Sequence, residues 1–266
     1  MILFTDLDGT LLDDHKDLTL ENREAISQAL LAGHKIVITT GRPLASAKIL
    51  AHELGLDTDG CYVIAFNGGE IYDMYHEKSI FKKTISTAHV AWVFQEAKRR
   101  GLHCQTYSDT SILAEWDNPC LQYYRSRTNI PALVVPDITK ALSSDPVKLI
   151  VIDQDHKKLL RFEEETAEWA QGKMDRIFSN PMYLEHVACG ISKGGAIKRL
   201  CQELSIPLSD TIAAGDAQND LSMIDTAAIG AVMANADDDI KAHGTYITKN
   251  DNNHDGVAEI IRRFML

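Results

Sequence analysis

The chain has 266 residues, 45% of them hydrophobic and 24% charged, and a formal charge of 27 − 38 = −11. At ~150 residues per domain that is about two domains, with enough length to bury a core without disulfide or metal staples. The acidic balance and the lack of a Lys/Arg-rich run leave no electrostatic footprint for nucleic acid, and a small anionic substrate would need a locally positive site. No apolar run approaches the ~18 residues of a membrane helix. MILFTDLDG has no basic n-region, so it reads as no signal peptide. Five cysteines, odd in number and without a CxxC, suit reduced thiols in a cytoplasmic protein better than disulfides or zinc.

In chain order, Ile2–Thr5 reads as a short buried strand and Leu20–Leu31 as a helix stopped by Gly33. Lys35–Thr39 is a β-branched strand, and Pro43–Leu54 a helix opened by proline and closed by Gly55. Tyr62–Ala65 is a strand ended by the turn signal Asn67-Gly68-Gly69. The middle differs. Ala88–Arg100 is an amphipathic helix, His103–Tyr107 and Ser111–Trp116 look like paired strands, and Val147–Ile152 is a strong strand. A charged helix covers Leu159–Gln171, and Arg176–Ser179 with Met182–Val187 reads as a hairpin around Asn180-Pro181. Strand–helix alternation then returns: Ser192–Leu204 helix, Thr211–Ala214 strand, Asp220–Asp225 helix start, Ala228–Met233 strand, Gly256–Met265 helix. The pattern predicts an α/β fold: a parallel-sheet core from residues 1–82 and 188–266, with an α+β domain inserted at 83–187. Ligands of such a sheet sit at the carboxyl ends of its strands.

Four strand–loop junctions carry candidate chemistry. Asp6-Leu7-Asp8-Gly9-Thr10 follows the first strand, and alternation on an extended backbone would put both carboxylates on one side. Two close carboxylates repel unless a cation or a shared proton intervenes, so the pair suggests a hard metal or an acid/base pair. A solvated turn is the plain alternative. Thr39-Thr40-Gly41-Arg42 can aim a hydroxyl and backbone N–H groups at an anion, or simply cap the next helix. Lys193, at the head of a helix after Ser192, sits where a cation is unfavourable, which a bound anion would explain; an exposed lysine is the alternative. Gly215-Asp216-Ala217-Gln218-Asn219-Asp220 adds two carboxylates and an amide after another strand. Together these are the groups a phosphoryl-transfer site requires: carboxylates for a metal and a nucleophile, a hydroxyl, and a lysine for phosphate oxygens.

In their order and spacing, Asp6-x-Asp8-Gly9-Thr10, Thr40-Gly41-Arg42, Lys193-Gly194 and Gly215-Asp216-x-x-Asn219-Asp220 resemble the four motifs of haloacid dehalogenase-like (HAD) phosphatases. Asn67-Gly68-Gly69, Ser192-Lys193-Gly194 and Asn253-His254-Asp255-Gly256-Val257 are similar to landmarks of the Cof-type sugar-phosphatase subfamily. The resemblance spans the chain. It implies a Rossmann-like core with an inserted cap and a Mg²⁺-dependent phosphatase acting on small phosphorylated metabolites, sugar phosphates above all. It also implies roles: Asp6 as nucleophile forming an aspartyl-phosphate, and Asp8 as general acid, then base. Mg²⁺ would be held by the Asp6 carboxylate, the Asp8 main-chain carbonyl and Asp216. Thr40, Gly41, Lys193 and Asn219 would hold phosphate, with Asp220 bracing the metal shell or Lys193. One departure is visible: Glu185-His186-Val187-Ala188-Cys189-Gly190-Ile191 lacks the proline the subfamily often has before its lysine motif.

A phosphomutase or phosphotransferase of the same fold is the nearest rival, because its core chemistry is shared. A phospho-accepting signalling receiver is the rival from another class. Its length is about half, and its acids sit on different strands. Trp92, Trp116 and Trp169 read as packing residues. Tyr123-Tyr124-Arg125-Ser126-Arg127, in the inserted domain, reads either as a leaving-group reader or as a solvated helix face. The sequence assigns no oligomeric state.

Overall fold

The apolar runs at the two ends of the chain build one sheet. Its first strands are β1 (Ile2–Thr5), β2 (Lys35–Thr39) and β3 (Cys61–Ala65), followed by β4 (Glu70–Asp73) and β5 (Lys78–Lys82). The middle of the chain supplies β6 (His103–Tyr107), β7 (Ile112–Ala114), β8 (Ala132–Val134), β9 (Lys148–Ile152), β10 (Asp175–Asn180) and β11 (Tyr183–Val187). The first sheet then resumes with β12 (Thr211–Gly215), β13 (Ile229–Val232) and β14 (Tyr246–Ile247). This computed structural model describes residues 1–128 and 130–266. They fall into two units, Met1–Gly41 with Ala47–Phe81 and Ser192–Leu266, and Arg42–Ser46 with Lys82–Ile191.

In the first unit the strand order is β14-β13-β12-β1-β2-β3-β4-β5. β1 is buried along its whole length, as a parallel strand covered on both faces must be. It runs parallel to both neighbours, with Thr5 opposite Ile38 on β2 and Ala214 on β12. Pairing stays parallel outward to β3 and to β13 and β14, and turns antiparallel at β4. Chain order therefore reverses direction at β1. The carboxyl ends of β2, β1 and β12 lie side by side at that reversal, where open α/β sheets form a crevice. On one face, Ile2, Phe4, Val37, Tyr62 and Ile64 pack against Ala196, Ile197, Leu200 and Cys201 of the helix Lys193–Glu203. The helices Leu20–Leu31 and Gly256–Phe264 pack on each other. Asn22, fully buried, links them: its Oδ1 accepts the Ala258 N–H at 2.7 Å and its Nδ2 donates to the Leu11 carbonyl at 3.3 Å.

In the second unit the order is β10-β11-β9-β6-β7-β8. Its pairs are antiparallel except β7 with β8. Val90, Val93 and Phe94 of the helix Thr87–Arg99 and Leu159 and Phe162 of the helix His156–Glu165 join Cys104, Leu113, Leu149, Val151 and Leu184 in its core. The single helix expected over Leu159–Gln171 starts earlier and is broken. Asp155 caps its start, and at its end Thr166 Oγ1 donates back to the Phe162 carbonyl at 2.6 Å. Such back-bonding competes with helix continuation, and a separate turn, Ala167–Ala170, follows. Trp92 and Trp169 stack on each other at 3.6 Å between ring centroids. Tyr124 is buried with its hydroxyl accepting from that of Tyr107 at 2.6 Å, while Tyr123, Arg125 and Arg127 are exposed. Lys148 and Glu185 form a buried ion pair at 3.1 Å. Burial, with the nearby Arg176 charge, pushes the His186 imidazole down to about 3. No helix among the described residues is long and apolar enough to cross a membrane.

Candidate active site

Asp6 is the first residue past β1, and its N–H donates to the Ala214 carbonyl at 2.9 Å, which fixes the chain where β1 and β12 end. The residue is 6% exposed, and its carboxylate accepts from Lys193 Nζ at 2.6 Å. Lys193 opens its helix behind Ser192, whose Oγ accepts the Gly195 N–H. It is 1% exposed, and it donates a second bond to Asp220 Oδ1, also at 2.6 Å. The other oxygen of Asp220 accepts the N–H groups of Asp216 and Ala217 at 3.0 and 3.1 Å. Asp220 thus has both oxygens engaged inside the protein. It fixes the lysine with one and the loop after β12 with the other.

Asp216 is held from the first loop. Thr10 Oγ1 donates to its Oδ1 at 2.6 Å. Gly9 has φ 83°, and a Cβ there would fall 2.5 Å from Asp216 Oδ2, so this approach requires glycine. Carboxylate oxygens of Asp6, Asp216 and Asp220 lie within 4.8 Å of one another. Three acids so close, with Lys193 bonded to two of them, are expensive to keep ionised. Burial raises Asp6 to about 7, Lys193 pulling it down and the Asp220 charge pushing it up. Burial likewise raises Asp216 to about 6 against the pull of the Thr10 hydrogen bond. Burial works against the Lys193 ammonium too, but Asp6 and Asp220 more than offset it and its pKa is raised.

The structure therefore brings Asp6, Lys193, Asp216 and Asp220 into one bonded cluster. Asp8 has a different setting. β1 stops at Thr5, so strand alternation does not run on from Asp6 to Asp8, although the Asp8 charge still acts on Asp216. Asp8 bridges through its backbone to Leu12. Its side chain is 41% exposed and pairs with Lys16 at 3.0 Å. Thr40 is buried just past β2, its N–H donating to the Ile64 carbonyl at 2.8 Å. Gly41 follows it half-buried, and Asn219 is exposed on the turn Gln218–Asp220 after β12. Four supporting residues carried too little signal to find in the sequence. Thr10 lies within a motif, but the sequence does not name its partner. Lys16 gives no local cue, Asn235 Nδ2 donates to the Gly9 carbonyl at 2.8 Å, and Ser222 Oγ accepts the Gly194 N–H at 3.2 Å.

A buried carboxylate cluster around one lysine, at the reversal point of a parallel sheet, defines an α/β enzyme built to handle charged oxygen ligands. The chain belongs to the haloacid dehalogenase-like hydrolase family, whose model matches residues 3–261. Among its relatives is the 5-amino-6-(5-phospho-D-ribitylamino)uracil phosphatase YcsE of Bacillus subtilis, 29% identical over 100% of this chain and 96% of that one. Pyridoxal phosphate phosphatase YbhA of Escherichia coli is 26% identical, over 98% of this chain and 97% of its own length. A haloacid dehalogenase-like hydrolase from Bacteroides thetaiotaomicron has a similar solved structure, with TM-score 0.93, 30% identity and 98% of each chain covered.

Proposed function

We propose that the chain is a phosphoric monoester hydrolase: a Mg²⁺-dependent phosphatase of small phosphorylated metabolites, sugar phosphates above all, working through an aspartyl-phosphate on Asp6. The observation that carries this reading is the pair of hydrogen bonds that buried Lys193 donates to Asp6 and Asp220, with Asp216 in the same cluster. It joins a candidate nucleophile, a fixed positive charge and a cation-binding carboxylate in one site. The relatives' names support it: one acts on a phosphorylated ribityl compound and another on pyridoxal phosphate. Their substrates differ, so the family sets the chemistry and leaves the leaving group open.

The donor set fits Mg²⁺. It consists of hard oxygens, and the three clustered carboxylates bring like charge that Lys193 cannot fully offset. Asp6, the main-chain carbonyl of Asp8 and Asp216 would hold the ion. Asp220 is left as a brace, since its oxygens already accept from Lys193 and the loop backbone. When bound, Mg²⁺ would neutralise charge on the carboxylates and the phosphoryl oxygens.

In this mechanism an oxygen of Asp6 attacks phosphorus as the ester P–O bond breaks, and Asp8 gives its proton to the leaving alkoxide. Asp8 then takes a proton from water. The hydroxide attacks the aspartyl-phosphate at phosphorus, releasing inorganic phosphate and restoring the Asp6 carboxylate. Thr40, the Gly41 N–H, Lys193 and Asn219 hold the transferring group. In the same reading the 83–187 region is a cap that selects the leaving group. Cysteines without paired spacing support a cytoplasmic setting.

A panel of phosphorylated metabolites and p-nitrophenyl phosphate, assayed for phosphate release, tests the proposal. Turnover is expected with Mg²⁺, none after chelation, and loss as Ca²⁺ is titrated in at fixed Mg²⁺. Full activity in excess chelator would defeat the metal assignment. Phosphate transfer to a second sugar hydroxyl without net release would identify a mutase instead.

A further inference from the structure

Three consecutive residues after β3, Phe66, Asn67 and Gly68, have φ of 54°, 57° and 106°. Two of them are not glycine, and while asparagine visits the left-handed region with some ease, a phenylalanine there is uncommon. A conformation like that persists only where its surroundings over-determine it. Here they do. The Asn67 N–H donates to the Thr40 carbonyl at 3.0 Å, just after Thr40 has donated its own N–H to β3. The Asn67 carboxamide lies against the next residue, so closely that a Cβ on Gly41 would fall 3.0 Å from its Oδ1. On the turn's other side, a Cβ on Gly68 would meet the Ser192 carbonyl oxygen at 2.3 Å and the Lys193 nitrogen at 3.3 Å. That same Ser192 carbonyl accepts the Ala196 N–H and so begins the helix that carries Lys193.

The turn is thus wedged between the Thr40-Gly41 loop and the head of the Lys193 helix. We propose that it is the spacer that fixes the distance between these two sides of the phosphoryl site, with Asn67 and Gly68 as positioning residues that touch no substrate. The proposal rests on the phosphatase reading above. It explains why an aromatic residue and an asparagine tolerate left-handed backbone in succession: relaxing the turn would shift both anion-holding segments. Displacements near 1 Å can cost about 100-fold in rate, so this spacing acts on kcat.

The decisive variant is Asn67→Gly. Glycine adopts the left-handed turn without strain and keeps the N–H bonded to Thr40, but lacks the carboxamide that packs on Gly41. Activity on p-nitrophenyl phosphate with Mg²⁺, thermal stability and inhibition by orthovanadate are measured on wild type and variant. The expected result is a kcat lowered about 10-fold, KM changed less than about threefold, vanadate inhibition weakened in parallel, and Tm unchanged or higher. Gly68→Ala is the second variant, assayed well below its own Tm, and should lose about 10- to 100-fold in kcat. Gly55→Ala is the control. Gly55 also has positive φ, 73°, but has nothing within 4 Å of its would-be Cβ. It should lower Tm and leave kcat as in wild type. Retention of kcat within about twofold in Asn67→Gly, or loss only in proportion to unfolded protein in both variants, overturns the proposal. An inactive wild type defeats the phosphatase reading and this inference together, whereas active variants in an active wild-type background defeat this inference alone.

Discussion

Asp6 is held in a state that favours protonation. Its pKa rises from 3.8 to about 7 on folding, chiefly through burial. Its favourable contribution to stability is therefore complete below pH 3.8, declines as pH rises, and is lost above about 7. A metal-free protein should therefore gain thermal stability at pH 8 from Asp6→Asn, while turnover falls by several orders of magnitude because an amide cannot attack phosphorus. Even a tenth of wild-type kcat in that variant would remove Asp6 from the nucleophile role. In the proposed metal site, cation binding would need the ionised forms of Asp6 and of Asp216, itself raised to about 6. The Tm increase given by Mg²⁺ should accordingly be large at pH 8 and shrink toward pH 5.5, a trend that thermal scans can read. Thr10 acts one step away, through its bond to Asp216. Thr10→Val keeps the shape but loses the hydroxyl, and should raise the Mg²⁺ concentration for half-activation about 10- to 100-fold with little change in kcat at saturation.

At the scale of elements, side chains of asparagine tie the C-terminal helix to the first loop. Asn22 accepts the Ala258 N–H in the first turn of Gly256–Phe264, where helix donors lack internal partners. Asn252, also buried, donates to the Leu12 carbonyl at 3.1 Å. Asn253 exchanges hydrogen bonds with Asp14, accepting from its backbone at 3.0 Å and donating to its carboxylate at 3.2 Å. These bonds give the Asn253-His254-Asp255-Gly256 landmark a structural meaning: it anchors the loop that presents Asp8 and Thr10. Asn22→Leu buries the Ala258 donor without its partner and should cost about 1–3 kcal/mol in urea unfolding. Its kcat, measured where the variant is still folded, should stay near wild type. An undiminished unfolding free energy would show that the helix start finds another acceptor.

At the scale of the molecule, Asp6, Asp8, Thr40, Gly41, Lys193, Asp216, Asn219 and Asp220 all belong to the first unit, which has its own sheet and core. A chain joining residue 82 to residue 188 through a short linker should keep Mg²⁺-dependent stabilisation and lose discrimination among sugar phosphates. If it folds and keeps the parent's substrate ranking, selection of the leaving group lies in the core loops rather than in residues 83–187.

Runs such as Ile2–Thr5 and Lys35–Thr39 were legible as strands because burial on both faces demands uninterrupted apolar or β-branched residues. The chemistry was legible as residue types at strand ends, since open α/β sheets place their crevices there. Short or polar strands such as Lys78–Lys82 and Ala132–Val134 were not legible, because their pairing depends on neighbours rather than on their own composition. Equally hidden was the difference between Asp6 and Asp8. Two residues apart in sequence, one is buried on Lys193 and the other half-exposed on Lys16. Composition and motif order determined which groups this protein brings to its site. Only the tertiary structure decided which of them share a charge, because Lys193 meets Asp6 across 187 positions of sequence and Thr10 meets Asp216 across 206. The electrostatics of a carboxylate depend on burial and on partners within a few ångströms, and folding alone sets both.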